Sequence, residues 1–288
     1  MKSVTVTAPA KINLMLDVTG KRSDGYHTLL TIMQSISLSD TVFLTPNSSG
    51  SIAVECNDSN IPLGTDNIAC RAAELFYRHT AISQTGLSIR IDKQIPSQAG
   101  LGGGSADAAA VLIGMNSLYD TGLTSEELCS IGVQLGADVP FCIVGGTKIC
   151  RGIGELMKDA PPLEKCCIAI GKGAQGISTK AAYAEIDSKG SFFTEDDSDK
   201  YDGSISSVKA VGRNIFEDAV FCPDVISIKE IFYASGAEYS AMSGSGSAVF
   251  GIFCEQRSAE YACAEINRIG SFSGVYLPVS CGASVLTI

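Results

Sequence analysis

A chain of 288 residues with 45% hydrophobic and 18% charged residues has the composition of a folded globular protein and the length for a large core, or for two domains. Its net charge of −10, with basic residues scattered rather than massed, excludes a nucleic-acid-binding face, and no apolar run approaches the roughly 18 residues needed to cross a bilayer. The opening MKSVTVTAPAKINL lacks the apolar core and cleavage site of a signal peptide and is not a transit peptide, so the expected location is the cytosol.

In chain order, residues 3–7 and 12–18 read as strands broken by Ala8-Pro9-Ala10, and a further strand covers 31–45. Another strand ends at Ile91. Before it, Thr65-Asp66-Asn67 offers a cap for a helix through IACRAAELFYRHT, whose apolar positions recur at helical spacing. A helix is expected over about 105–119. The next helix opens on a possible capping box of Thr124 and Glu127, presents Leu128, Ile131 and Leu135 on one face, and stops at Gly136. VPFCIVGG reads as a strand. A composition shift at about 155–162, with two prolines, marks a boundary between domains 1–157 and 158–288. Beyond it, PPLEKCCIAIG holds a strand, DSKGSFFTEDDSDKYDGSISS (187–207) reads as a mobile, solvated connection, and helical patterns return near 214–235. Strands follow near 247–254 and 275–287, and no internal repeat is visible. The eleven cysteines form no CxxC, only two histidines are present, and most cysteines sit in apolar runs such as PFCIVGG, so reduced core thiols are expected rather than a metal site.

The stretch IPSQAGLGGGSADAAAVL (95–112) packs four glycines into five positions directly before a helix. It is neither a Walker A loop, since no lysine follows, nor a dinucleotide fingerprint, since Ser105 stands where the third glycine is required. A strand, a glycine loop and a helix N-terminus together still aim free N–H groups at one point, where the helix dipole favours an anion such as phosphate. Ser105 adds a hydroxyl for phosphate or a bound magnesium. A tight turn that merely needs glycine is the other reading. Three further stretches carry candidate chemistry: APAKINL (8–14) with Lys11 and Asn13 on one strand face, DGYH (24–27), and LGADVP (135–140) with Asp138.

In this order APAKINL, PSQAGLGGGSA, LGADVPF and AMSGSGSAVF resemble the motifs of the galactokinase, homoserine kinase, mevalonate kinase and phosphomevalonate kinase superfamily. The resemblance is dense over residues 7–155 and sparser beyond. It implies an α+β, two-domain fold with a ribosomal-protein-S5-like N-terminal half, a ferredoxin-like C-terminal half and the active site between them. APAKINLMLDVTGKRSDGYH, TDNIACRAA and the extra glycine before Ser105 are similar to the branch that phosphorylates the 2-hydroxyl of a cytidine-diphosphate-linked methylerythritol, on the non-mevalonate route to isoprenoid precursors.

By that resemblance Asp138 is the catalytic base and Lys11 its partner. Pro96, Gly100, Leu101, Gly102, Gly103, Gly104 and Ser105 hold ATP, with Lys93 and Asn67 lining the nucleotide site. Asn13, Tyr26, His27 and Tyr183 bind the substrate, Tyr26 and Tyr183 facing the cytosine from two sides while His27 reads its edge. Mg2+ enters with ATP, with Ser105 as its one candidate protein ligand. The partners implied are small molecules, with neither nucleic acid nor membrane, and no particular oligomeric state. Another small-molecule kinase of the superfamily, or a non-catalytic binding protein on the same fold, are the competing readings. DGYH argues against the first, and the joint presence of Lys11 and Asp138 against the second.

Overall fold

One long hairpin organises the computed structural model, which describes residues 3–190, 192–193, 195–269 and 272–286. Strand β1 (Val4–Lys21) runs antiparallel to β2 (His27–Pro46), from Val4 opposite Leu44 to Lys21 opposite His27. The interruption expected at Ala8-Pro9-Ala10 is absent. The strand carries straight through, with a register shift between Pro9 and Ala10, a place where a residue lacking an N–H is tolerated in a sheet.

The chain continues through β3 (Ile52–Cys56), α1 (Ile68–Thr80), β4 (Leu87–Asp92), α2 (Gly103–Tyr119), α3 (Ser125–Gly132), α4 (Val139–Val144), β5 (Thr147–Arg151) and β6 (Leu156–Asp159). It then forms β7 (Cys167–Lys172), α5 (Thr179–Lys189), α6 (Ile205–Val211), α7 (Ile215–Ala219), α8 (Pro223–Ala234), β8 (Tyr239–Met242), β9 (Val249–Phe253), α9 (Gln256–Arg268), β10 (Phe272–Tyr276) and β11 (Ser284–Val285). Among the described residues these strands make two sheets. The larger has the order β11-β1-β2-β4-β3, with β5 and β6 attached to β2, and the smaller has the order β10-β7-β9-β8. The last strand, β11, returns from the second half to pair with β1, Val6 opposite Val285. Strands β3, β5, β6 and β8 and helices α5, α6 and α9 are additions to the elements expected from sequence.

Helix α2 lies on the long hairpin. Its alanines are buried all round, and at Gly114 an added Cβ would stand 2.3 Å from Leu44 Cδ1 and 2.9 Å from Val6 Cγ2. The small residues that give α2 its alanine-rich sequence are what let it sit this close to the sheet. Helices α8 and α9 play the same part in the second half, where Ile228 and Ile266 leave no room for a side chain at Gly171.

VPFCIVGG is a helix, α4, and not the expected strand. A six-residue apolar run buried on every side has no periodicity to distinguish the two. Pro140 in its first turn and Gly145 at its end, with φ +68°, are the helix boundary signals that decide it. The capping box of Thr124 and Glu127 forms as expected, but α3 ends at Gly132, leaving Leu135 and Gly136 in the turn that leads to Asp138.

The acidic stretch 187–207 is also not a solvated connection. Its first residues finish α5, the Phe193 N–H donates to Val18 O at 2.9 Å, and the Arg213 guanidinium covers the Phe193 ring at 4.1 Å. Asp196 pairs with Arg151, and Asp197 with Lys200 and Arg213, which also holds the buried Asp17 at 2.7 Å. Asp187, Asp196 and Asp197 thus each have a cationic partner, which composition alone does not reveal.

The close approach of α2 to the sheet is open to a direct check. Gly114→Val should destabilise the protein by about 1–3 kcal/mol through overpacking against Val6 and Leu44. A denaturant midpoint equal to the wild type's would contradict that packing.

Candidate active site

The centre of the site is a buried ammonium. Lys11 projects from β1 with only 5% of its side chain exposed, and its Nζ lies 2.8 Å from Asn13 Oδ1 and 3.3 Å from Asp138 Oδ2. Asn13, two residues on and so on the same strand face, also accepts from the Gly244 N–H at 3.0 Å. Its amide donates to Thr31 Oγ1, which donates in turn to Met15 O. The Asn13 side chain thus fixes Lys11 and joins the two halves of the molecule. Asp138 stands at the N-cap of α4 but in a right-handed conformation, with its carboxylate capping no N–H. The carboxylate is left facing Lys11, and at 31% exposure it opens to the cleft.

The glycine loop passes beside this pair. The Lys11 N–H donates to Leu101 O at 3.0 Å, and Gly100 and Gly102 both have φ near +75°, which excludes most side chains. Their close contacts exclude side chains as well. A Cβ at Gly102 would press on Lys11 Cγ at 2.9 Å, and one at Gly100 would strike Ser243 O at 2.0 Å. The second half seals the loop, with Ser243 Oγ donating to Gly100 O at 2.9 Å and the Ala248 N–H to Ala99 O at 3.0 Å. Gly102 caps α2 without a side-chain bond, no acidic residue occupies the first turn, and Gly104 and Ser105 follow on the rim. The first N–H groups of α2 are therefore open to an anion. Gly103 instead faces inward, toward Ile95 and Lys93, and Gly104 is the position where a methyl group meets only Ile68, at 3.6 Å.

Two residues expected to line the nucleotide site are placed beneath it. Lys93 is buried and ion-paired with Asp40 at 2.5 Å and Asp107 at 2.7 Å. Burial opposes its charge, but the two carboxylates outweigh that and raise its pKa. Asn67 is the N-cap of α1, its oxygen accepting from the Ala69 N–H and its amide donating to Pro62 O. Both side chains are occupied by the fold, for the plain reason that a buried lysine needs carboxylates and a helix start needs a cap.

A cavity of about 200 Å³ joins Lys11, Asn13, Gly100, Gly102, Asp138 and Tyr183. Beyond Tyr183 it gives onto a cleft of about 500 Å³ lined by Tyr26, His27, Ala137, Lys180 and Asp187 among others. Tyr183 is shared by both. Its ring is already packed against two other rings. It stacks on His27 at 4.6 Å and 21°, meets Phe216 edge-on at 5.0 Å, and leaves Tyr26 61% exposed on the rim. A larger hollow of about 630 Å³ lies elsewhere, between Gly146–Lys148 and Pro278–Cys281, where Lys148 pairs with Asp159 but none of Lys11, Asp138 or Gly100–Ser105 reaches.

Sequence reasoning overlooked Thr31, Asn214, Phe216 and Asp187. Asn214 ties the SGSG turn to α7 through Met242 O and Gly244 O. Asp187 was the legible one: on a helix capped by Ser178 it lies four residues after Tyr183, and so on the same face.

The GHMP kinases N terminal domain family matches residues 67–146 and the GHMP kinases C terminal family residues 206–271. The 4-diphosphocytidyl-2-C-methyl-D-erythritol kinases of Syntrophomonas wolfei subsp. wolfei and Acetivibrio thermocellus are 39% and 42% identical to this chain over 266 residues, covering 90% of it and 92% and 93% of their own lengths. A crystal structure of 4-(cytidine 5′-diphospho)-2C-methyl-D-erythritol kinase, 30% identical, superposes with a TM-score of 0.79 over 94% of this chain and 98% of that one. A homoserine kinase from Cytophaga hutchinsonii, 20% identical, shares the fold with a TM-score of 0.75, covering 99% of this chain and 98% of its own. With two-domain α+β architecture, a glycine loop sealed by the second half and relatives of this similarity along nearly their whole length, the chain belongs to the 4-diphosphocytidyl-2-C-methyl-D-erythritol kinase family of the GHMP kinases.

Proposed function

We propose that this protein transfers the γ-phosphoryl group of ATP to the 2-hydroxyl of 4-diphosphocytidyl-2-C-methyl-D-erythritol, a step toward isoprenoid precursors, in the cytoplasm. The contact of Lys11 with Asp138 beside the glycine loop is the observation that carries the reading. A tertiary alcohol is a weak nucleophile at neutral pH. Asp138 accepts its proton as the oxygen attacks phosphorus, and the phosphorus–oxygen bond to ADP breaks on the opposite side. Lys11, 3.3 Å from the Asp138 carboxylate, offsets the charge on the transferring phosphoryl group.

The N–H groups of Gly103, Gly104 and Ser105 at the start of the 17-residue helix α2 receive the ATP phosphates. Among the described residues no group of three or more His, Cys, Asp or Glu side chains gathers to hold a metal ion. A Mg2+ ion that arrives on the ATP phosphates, with Ser105 on the first turn of α2 as its protein contact, suits such a site, since magnesium keeps much of its shell as water and phosphate oxygen. When bound it neutralises phosphate charge. Asn13 holds Lys11 in register at the acceptor end, and His27, Tyr26 and Tyr183 form the end that receives the cytosine.

Two outcomes test this reading. Asp138→Ala should lower kcat by roughly two to four orders of magnitude while ATP affinity, measured by calorimetry, stays within about twofold. A variant that keeps more than about a third of normal turnover removes Asp138 from the role of base. Gly104→Ala separates phosphate approach from a mere turn. The position lies in a helical first turn with space for a methyl, so thermal stability should hold or rise slightly. ATP binding should nonetheless weaken by about fivefold or more, because the methyl stands where phosphate approaches the backbone. Unchanged ATP affinity would assign the glycines to the turn alone.

A further inference from the structure

His27 begins β2, opposite Lys21 across the hairpin, and Asp187 reaches both from α5 of the second half. His27 Nε2 lies 2.7 Å from Asp187 Oδ1, and Lys21 Nζ lies 2.5 Å from Oδ2, so each carboxylate oxygen has its own partner. The hydrogen bonds from His27 and Lys21 hold the Asp187 carboxyl below the usual carboxylate range. An ionised carboxylate only accepts, so the imidazole carries its proton at Nε2. In the neutral ring Nδ1 is then an acceptor, and among the described residues nothing hydrogen-bonds to it. The ring cannot readily turn over to exchange the two nitrogens. Tyr183 covers one face, and the His27 side chain is only 8% exposed.

We propose that Asp187 is a positioning residue that fixes the tautomer of His27, and that the Nδ1 acceptor so created selects a base offering an amino donor, cytosine, over one offering a carbonyl at the same place, uracil. The selectivity rests on the substrate reading given above; the tautomer does not. Cytosine meets the acceptor nitrogen with its exocyclic N–H, whereas uracil meets it with an oxygen lone pair and leaves both groups unpaired. Without Asp187 the proton is free to sit on either nitrogen, and the ring can donate to uracil as readily as it accepts from cytosine.

The chain has two histidines, and His79 is exposed at the end of α1, so long-range ¹H–¹⁵N spectra of labelled protein hold two imidazole patterns that His79→Gln assigns. Read in the neutral form, wild-type His27 should show a protonated Nε2 and a bare Nδ1. Asp187→Ala should convert this to a tautomer mixture. It should also lower the ratio of kcat/KM for the cytidine-linked over the uridine-linked substrate by about tenfold or more, with KM for ATP within about twofold. Lys21→Met leaves the acceptor on Nε2 and should keep both the tautomer and the ratio. A protonated Nδ1 in the wild type, an unchanged ratio in Asp187→Ala, or equal losses in Asp187→Ala and Lys21→Met would each overturn the proposal, the last by making Asp187 a plain structural latch. If the wild type phosphorylates neither nucleoside analogue, the substrate reading and the selectivity fall together, while the spectrum alone decides whether Asp187 sets the tautomer.

Discussion

A lysine ammonium buried between an amide and a carboxylate is the constraint from which the rest of this structure follows. Taking Lys11 out of water is costly unless its ammonium finds an acceptor and a counter-charge stands near. Asn13 supplies the first from the same strand, and Asp138 supplies the second from the start of α4. Neither could do so alone. The β1–β2 register aims Lys11 and Asn13 at one face, the helical turn of α4 aims Asp138 back at them, and Gly244 of the second half donates its N–H to the same Asn13 oxygen. The acceptor end of the site is therefore complete only when both halves are in contact.

A second buried cluster does for the glycine loop what Asn13 does for Lys11. Asp40 accepts from the Gln94 and Ile95 N–H groups, Lys93 bridges Asp40 to Asp107, and Asp107 sits one turn into α2. The cluster thus ties β2, the strand end before the loop and the helix after it into one rigid frame. Burial pushes the Asp107 carboxyl up, against the pull of Lys93. The loop's N–H groups stay aimed outward because both of its ends are fixed, one to Asp40 and one to Asp107. Such pre-organisation is what electrostatic stabilisation of a transferring phosphoryl group requires.

What could be read from the residues alone divides along physical lines. Local signals survived: Asn67 caps α1, Thr124 and Glu127 form their box, and the glycines lead into α2. Signals that depend on distant partners did not. VPFCIVGG, buried on all sides, has no period, and only Pro140 and Gly145 at its boundaries mark it as a helix. Lys93 carries no mark that two carboxylates, one of them 53 residues away, enclose it. The acidic stretch looked solvated because its partners Arg151 and Arg213 lie outside it, and Asp187 was passed over within it although its helix face with Tyr183 was a readable signal. The motifs carrying Lys11, the glycine loop and Asp138 were legible through their ordered resemblance to those of the GHMP kinases, since apart from it each short stretch has an ordinary structural reading. Their convergence on one cavity was not, since it depends on a strand register and a helix start far apart in sequence.

The central claim is that this Lys11–Asp138 site directs phosphate to one alcohol. Its most direct test is ³¹P NMR of the wild-type protein incubated with ATP and, in parallel, 4-diphosphocytidyl-2-C-methyl-D-erythritol, homoserine and mevalonate. The account predicts ADP and one new phosphomonoester resonance with the first acceptor, its diphosphate signals retained, and no new monoester with the other two. A monoester formed on homoserine or mevalonate, or ATP left intact with all three acceptors, would contradict it.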